Sequence, residues 1–174
     1  MCKIRYLLIY SFKKEFQKII GELDEGEKTI YTANIIVNTI LNNKLRNAQK
    51  RHIATEASVL VPKQMNLDYS AAGILLGNLL DNAIEACEKL EEEKRMVKIE
   101  VRKHHSMFML IVENSCEAHA QVRKGIFRTT KKDDRMHGYG IHNVRKTVKN
   151  RGGQFQYGSR GENFYVKILI PLVI

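Results

Sequence analysis

The stretch that decides the fold is residues 75–87, Leu-Leu-Gly-Asn-Leu-Leu-Asp-Asn-Ala-Ile-Glu-Ala-Cys. With the period of an α-helix, its leucines and alanines form a broad apolar stripe that must face a core. Asn78, Asn82 and Glu85 follow one another at i, i+4 and i+7, so they form a polar line on the same helix. Amides are poor helix formers and are costly to bury without partners. The stretch alone favours a core helix with a solvated face, but the sequence further along favours a polar pocket.

A second motif, His-Gly-Tyr-Gly-Ile-His-Asn-Val-Arg, occupies residues 137–145. Ile141, Val144 and Val148 have helical spacing, so the glycines lie at the start of a predicted helix. Glycine lets a ligand approach closely, and the first N–H groups of a helix are unpaired, so an anion can dock there. An ordinary loop-to-helix turn is the alternative. The basic, hydroxyl-bearing residues 127–132 just upstream favour anion binding.

The net charge of +10 is concentrated around this second motif. Residues 122–151 hold ten Lys or Arg and two Asp, so this segment carries +8 of the total. Clustered positive charge raises the local concentration of a polyphosphate ligand. Nucleic-acid binding also uses basic patches, but no DNA- or RNA-binding motif accompanies the charge. A merely solvated basic face is the other alternative.

Together the motifs resemble the ATP-binding catalytic domain of sensor histidine kinases, in the superfamily shared with the ATPase subunit of DNA gyrase, the ninety-kilodalton heat-shock chaperones and MutL. Residues 78–83, Asn-Leu-Leu-Asp-Asn-Ala, match the kinase N box, and residues 138–141, Gly-Tyr-Gly-Ile, match the second glycine box. Residues 129–131, Thr-Thr-Lys, resemble the Ser/Thr-Lys element of the ATP lid. The chain is most similar to the peptide- and citrate-sensing kinases of Gram-positive bacteria. The resemblance covers residues 29–172.

The resemblance implies a role for each motif residue. Asn82 would ligate Mg²⁺ through its side-chain oxygen. Asn78 stands where the superfamily's ATPases carry a glutamate base; an amide cannot accept a proton from water, so ATP would be protected from hydrolysis. Asn114 would bind the adenine. The other residues expected to bind the nucleotide are Thr130, Lys131, Gly138, Tyr139, Gly140 and Ile141.

Two positions depart from the family pattern. Most members carry Asp-x-Gly-x-Gly after a central strand, where residues 112–116 of this chain read Val-Glu-Asn-Ser-Cys. Asn114 can accept a hydrogen bond through its amide oxygen, without the charge that would strengthen it. Many kinases place Lys or Arg where this chain has Glu85, which would repel a phosphate unless it is turned toward the metal or a basic partner.

The remaining pattern predicts an α/β two-layer sandwich. Apolar alternation or apolar runs predict strands at residues 53–60, 97–101, 107–112, 155–157 and 164–170, and the last four strands form two antiparallel hairpins. Predicted helices over residues 66–93 and 140–150 cover one face. The resemblance implies the Bergerat-type ATP-binding fold, with a mixed, mostly antiparallel sheet under helices.

The first 50 residues are predicted to be a helical segment separate from an ATP-binding domain at residues 51–174. Residues 27–50 form an apolar stripe that lies opposite a row of asparagines. By resemblance, residues 1–50 would be the end of a dimerisation and phosphoacceptor helical hairpin. The first histidine in the chain is His52, beyond that helix. We therefore expect the acceptor histidine to be absent and the chain to be a kinase fragment.

Composition is that of a globular domain, with 44% hydrophobic and 28% charged residues. Three scattered cysteines indicate neither a disulfide framework nor a zinc site. The apolar run at residues 4–12 contains Arg5 and is too short to span a bilayer. We expect a cytoplasmic domain without a membrane segment of its own, in a membrane-anchored parent protein.

The predicted function is phosphoryl transfer from MgATP to a histidine on a separate helical element. The expected partners are the phosphoacceptor domain of the parent kinase and a response regulator, with a homodimeric parent and no nucleic acid. Two alternatives stay open: a nucleotide-binding interaction module without kinase activity, and a serine kinase of the anti-sigma-factor type. Residues 118–136 are polar and basic, and we expect them to be a lid that bound phosphates order.

Overall fold

The computed structural model describes residues 29, 31–65, 67–116 and 139–172. The described elements, in chain order, are α1 (Ile35–Lys50), β1 (Ala54–Leu60), α2 (Tyr69–Ala72), α3 (Asn78–Cys87), β2 (Met96–His104), β3 (Met107–Ser115), α4 (Tyr139–Asn150), β4 (Gln154–Arg160) and β5 (Asn163–Pro171). A π-helical turn, Gly73–Gly77, joins α2 to α3, and a short 3-10 helix, Glu92–Lys94, precedes β2.

The five strands form one sheet in the order β1-β2-β3-β5-β4. Strands β1 and β2 are parallel, and the other three neighbouring pairs are antiparallel. The hairpins β2–β3 and β4–β5 are the two that the apolar alternation predicts. The mixed, mostly antiparallel sheet and the α/β two-layer sandwich are therefore confirmed.

The helices cover one face of this sheet. Along β3 the buried side chains are Phe108, Leu110, Val112 and Asn114, and the residues between them are only half buried. The buried residues of β2 and β5 alternate in the same way, so they line the same face. Leucines of the π-helical turn and of α3 fill the space above it: Leu75, Leu76, Leu79 and Leu80.

The helical run through the N box is shorter than the predicted 66–93. It begins after Asp68, whose side chain accepts a hydrogen bond from the Ala71 N–H at 2.7 Å. It ends at Cys87, since residues 88–94 form a turn and the short 3-10 helix. The difference has a local cause. The N-cap at Asp68 and the charged residues after Cys87 set the ends of the helix, and the apolar period shows neither of them.

Helix α1 also starts later than predicted, at Ile35 rather than at residue 27. Asn34 is its N-cap and accepts a hydrogen bond from the Val37 N–H at 3.1 Å. The buried residues of α1 belong to the same hydrophobic core as the sheet: Val37, Leu41, Leu45 and Ala48. This packing favours placing α1 with the sheet, while the assignment of residues 1–50 to a dimerisation hairpin stays a prediction.

The asparagine row of α1 binds the chain that precedes the helix. The Asn38 Oδ1 accepts from the Tyr31 N–H at 2.8 Å, and the Asn42 Nδ2 donates to the Thr29 carbonyl at 2.7 Å. Since Thr29 lies beside Asn42 and Tyr31 beside Asn38, the preceding chain runs back along the side of α1. The side chains of Asn38 and Asn42 therefore hold the preceding segment against α1.

Helix α4 begins at Tyr139 and ends, as predicted, before two glycines. Gly152 has a φ of +62°, the left-handed conformation common at helix C-termini. At Gly153, in the connection from α4 to β4, an added Cβ would lie 2.5 Å from the Leu169 carbonyl oxygen, so this connection passes β5 too closely for a side chain. No helix within the described ranges is long and apolar enough to cross a membrane.

Candidate functional site

The N box and the second glycine box meet at Asn78 and Gly140. Asn78 is the first residue of α3, and its Nδ2 donates to the Ile74 carbonyl in the π-helical turn at 2.7 Å. A Cβ built on Gly140 would lie 3.0 Å from the Asn78 Oδ1. The first turn of α4 therefore passes directly against the Asn78 amide, and any side chain at position 140 would press on it.

Asn82 lies one turn further along α3 and is exposed. Its amide therefore lies outside the core and is accessible to a ligand. Glu85, one more turn along, is half buried. The described part of the chain contains no group of three or more His, Cys, Asp or Glu that could hold a metal ion. A cation here would need most of its oxygens from elsewhere, which suits Mg²⁺ bound mainly by phosphates and water.

Asn114 lies near the end of β3, with 5% of its surface exposed. Its Nδ2 donates to the Ser115 carbonyl at 2.8 Å, so the amide is held with Oδ1 turned away from that carbonyl. Held in this way, the side chain leaves its Oδ1 as an acceptor for a ligand, since one N–H of its Nδ2 is used by the Ser115 carbonyl. That is the polarity needed for an amino group such as the one on adenine.

Cys87, which the sequence did not single out, contacts the same carbonyl. Its Sγ lies 3.8 Å from the Ser115 oxygen and 3.3 Å from the Met96 oxygen. Burial raises the pKa of the Cys87 thiol above its ordinary value, although hydrogen bonds to the same two carbonyls lower it. The thiol therefore stays protonated and donates. It joins the end of α3 to the strand that carries Asn114.

Several predicted site residues lie outside the described ranges. Thr130, Lys131 and Gly138 are among them, as is the expected lid at residues 118–136. The backbone of Tyr139 begins α4, while its side chain is not described. Ile141 is half buried and packs against the core. Within the described residues, then, the structure brings together Asn78 and Gly140 and places Asn82 and Asn114 on neighbouring elements, since α3 packs against β3.

Two ion pairs tie α1 to the helix of the N box, and the sequence reasoning missed both. The Lys44 Nζ contacts both carboxylate oxygens of Asp81 at 2.7 and 2.8 Å. The Arg51 Nη1 contacts the Glu88 Oε1 at 2.6 Å. Both pairs join residues 37 positions apart in the sequence, so α1 and α3 run parallel. The equal spacing of the two pairs indicates ion pairing only when the two helices are already known to be parallel neighbours.

The residues that are described fit a nucleotide with a hard cation. The glycine at position 140 leaves room against Asn78 that a Cβ would fill, Asn82 offers an exposed amide oxygen, and Asn114 offers an oriented acceptor. Oxygen acceptors suit Mg²⁺ and an amino group. A glycine at the start of a helix suits the close approach of a phosphate.

The chain is similar to a known domain family and to solved structures of histidine kinases. A model of the GHKL domain family matches residues 67–171. The nucleotide-free catalytic domain of the histidine kinase ThkA is 20% identical, covers 80% of this chain and 93% of its own, and has a TM-score of 0.63. The Acinetobacter baumannii histidine kinase AdeS is 16% identical, with 99% of this chain and 80% of that chain covered and a TM-score of 0.59.

A third similar structure is that of full-length ShkA in complex with AMPPNP. It is 17% identical over 82% of this chain and 30% of that chain, with a TM-score of 0.61. At these identities the likeness shows the fold. No curated protein matches the sequence.

Proposed function

Because the chain belongs to the GHKL domain family, we propose that it is the ATP-binding catalytic domain of a two-component sensor histidine kinase, of the peptide- or citrate-sensing branch. The observation that carries this proposal is the contact between the N box and the second glycine box, where a Cβ on Gly140 would lie 3.0 Å from the Asn78 Oδ1. The similarity of the fold to ShkA, which was solved in complex with AMPPNP, supports nucleotide binding.

In this proposal one set of residues binds the adenine and another binds the phosphates with their cation. The adenine amino group would donate to the Asn114 Oδ1, whose orientation the Ser115 carbonyl fixes. Asn82 would hold Mg²⁺, which when bound neutralises charge on the phosphates. The residues proposed to hold the phosphates are Thr130, Lys131, Gly138 and Gly140, and Tyr139 and Ile141 would complete the nucleotide site.

Asn78 would direct the reaction away from hydrolysis. Its side-chain amide donates to the Ile74 carbonyl and has no basic site that could accept a proton from water. A histidine nucleophile carries its own lone pair and needs no such base. The phosphoryl group would therefore go to a histidine on a separate dimerisation and phosphoacceptor element of a homodimeric, membrane-anchored parent kinase, and from there to a response regulator.

Nucleotide binding tests the proposal directly. Titration of the chain with ADP in calorimetry is expected to give saturable binding that strengthens when Mg²⁺ is added, because Asn82 adds a ligand only when the cation is present. Heat that stays at the dilution level at millimolar ADP with Mg²⁺ would remove the proposed function, since a catalytic domain must bind its substrate.

Base preference tests the role of Asn114. We expect ADP to bind at least about tenfold more tightly than GDP, because the guanine 6-oxo group would face the Asn114 oxygen acceptor against acceptor. The change Asn114→Ala should abolish most of this ratio. A matched control is Asn34→Ala, which alters the other buried asparagine, at the N-terminus of α1. If Asn114→Ala keeps the ratio of the unchanged chain, another group binds the base.

The fate of the γ-phosphate tests the proposed role of Asn78 and the expectation that this chain carries no acceptor histidine. Incubation with γ-labelled ATP should leave the chain unlabelled and release phosphate slowly. The first histidine, His52, is exposed in a turn after α1 with a φ of +55°, not on a helix that could present it to a second domain. An acid-labile phosphate on this chain would show that one of its own histidines is the acceptor.

A nucleotide-binding module without kinase activity is the second candidate, and the uncharged Asn114 is the observation that favours it. Its amide forms a weaker hydrogen bond than a carboxylate would. The two candidates differ in one result. Only the kinase would transfer labelled phosphate to a separately supplied phosphoacceptor helical domain, while both would bind MgADP.

A further inference from the structure

Helix α3 follows an irregular turn. The π-helical turn Gly73–Gly77 contains two glycines, which are weak helix formers, and it departs from the regular α-helical period. The buried Leu79 and Leu80 hold α3 against the sheet, whereas Asn78 is half buried and Asn82 is exposed. The directions of these two amides therefore also depend on contacts at the side of α3.

The pair Lys44–Asp81 holds α3 at this point. Asp81 directly precedes Asn82, so the two side chains leave the helix about 100° apart. Both carboxylate oxygens of Asp81 contact one ammonium group, which restricts the carboxylate more than a single contact does. The Lys44 side chain is only 20% exposed, although that of Asp81 is 46% exposed, so solvent screens the pair on one side.

The other end of α3 is held independently. Arg51 pairs with Glu88, and the Arg95 guanidinium donates to the Leu90 carbonyl at 2.9 Å and to the Arg51 carbonyl at 3.0 Å. These contacts tie the C-termini of α1 and α3 together, about two turns from Asn82. A change in Lys44–Asp81 would thus leave α3 attached through these contacts and through its buried Leu79 and Leu80, and would loosen only the side of the helix next to Asn82.

We propose that Lys44 and Asp81 are positioning residues for the metal-binding amide of Asn82, an inference that rests on the proposed function. The ion pair fixes the rotation of the first turns of α3, so that the Asn82 oxygen faces the cation and the Asn78 amide faces Gly140. Loss of the ion pair is therefore expected to reduce the strengthening of nucleotide binding by Mg²⁺. Loss of a purely stabilising pair would lower the melting temperature and leave the strengthening by Mg²⁺ unchanged.

The test compares two matched variants of the whole chain, Lys44→Met and Arg51→Met. Each removes a cation in α1 or at its C-cap that pairs with an acid in α3 or at its C-cap, and only the first acid lies next to Asn82. ADP affinity is measured with and without Mg²⁺. We expect Lys44→Met to lose at least about tenfold of the Mg²⁺ enhancement, and Arg51→Met to keep it. Lys44→Arg, which retains the charge and can bind both oxygens, should keep it too.

The outcomes separate the two proposals. If the unchanged chain shows the Mg²⁺ enhancement and Lys44→Met shows the same one, the positioning role is overturned and the proposed function stands. If the unchanged chain binds no MgADP, the proposed function fails and takes this inference with it. If Lys44→Met does not fold, as judged by circular dichroism, then Asp81→Asn against Glu88→Gln gives the same comparison, and an equal enhancement in both would overturn the role.

Discussion

A chain cut to residues 51–174 is expected to lose cooperative thermal unfolding, whereas residues 29–174 should retain it. The cut removes α1, whose Val37, Leu41 and Leu45 are buried in the core that the sheet and α3 share. Burial of these three side chains contributes about 5–9 kcal/mol. Because the net stability of a domain is itself about 5–15 kcal/mol, this loss is enough to unfold it. The loss of near-ultraviolet circular dichroism and of a sharp melting transition would report the effect.

Single substitutions provide a milder form of the same test. Leu45→Ala should lower the free energy of unfolding by about 2–5 kcal/mol. Ile35→Ala, on the same helix but 74% exposed, should change it by less than about 0.5 kcal/mol. If residues 51–174 melt cooperatively at the temperature of the longer chain, α1 is a separate unit, and the division of the chain at residue 50 would be correct.

The change Asn82→Ala is expected to remove the Mg²⁺ enhancement of ADP binding while leaving the metal-free affinity nearly unchanged. The exposed amide offers one oxygen to a cation that otherwise keeps water and phosphate ligands, so its removal affects only the metal-bound complex. We expect a loss of at least about tenfold in calorimetric affinity with Mg²⁺ present. Asn150→Ala, which alters an exposed amide at the far end of α4, is the matched control.

An equal loss for Asn82→Ala with and without Mg²⁺ would reject the ligand role. It would indicate that the side chain contacts the nucleotide itself or supports α3. A measurement with Ca²⁺ in place of Mg²⁺ sharpens the result, because Ca²⁺ accepts more irregular oxygen geometries and should be less sensitive to the loss of one oxygen.

The strands and helices were predictable because their signals are local. The alternation of Val97, Ile99 and Val101 places one side of a strand in the core whatever its neighbours are. The helix boundaries were less predictable, since the apolar period continues past the true ends. Thr29 and Tyr31 lie outside α1 because side chains of the helix bind their backbone groups, and periodicity does not show such contacts.

In the candidate site, too, some features could be predicted from the sequence and others could not. Motif residues such as Asn78 and Gly140 could be identified from their order in the sequence, and the structure brings them together. The contacts that orient the site could not. The pair Lys44–Asp81 joins two helices whose parallel arrangement is a tertiary fact, and the hydrogen bond from Asn114 to Ser115 depends on a side-chain rotamer. The orientation of the side chains in the site therefore follows from the tertiary structure and could not be predicted from the sequence.

The return of the chain along α1 has a mechanical consequence. Tension applied through Thr29 parallel to the helix would load its hydrogen bond to Asn42 and that of Tyr31 to Asn38 together, in shear. A pull directed outward would peel them one at a time, beginning with Asn42. Resistance therefore depends on the direction of the force. The outward load reaches α1 first at Asn42, two residues before Lys44, and only afterwards at the N-terminus of the helix.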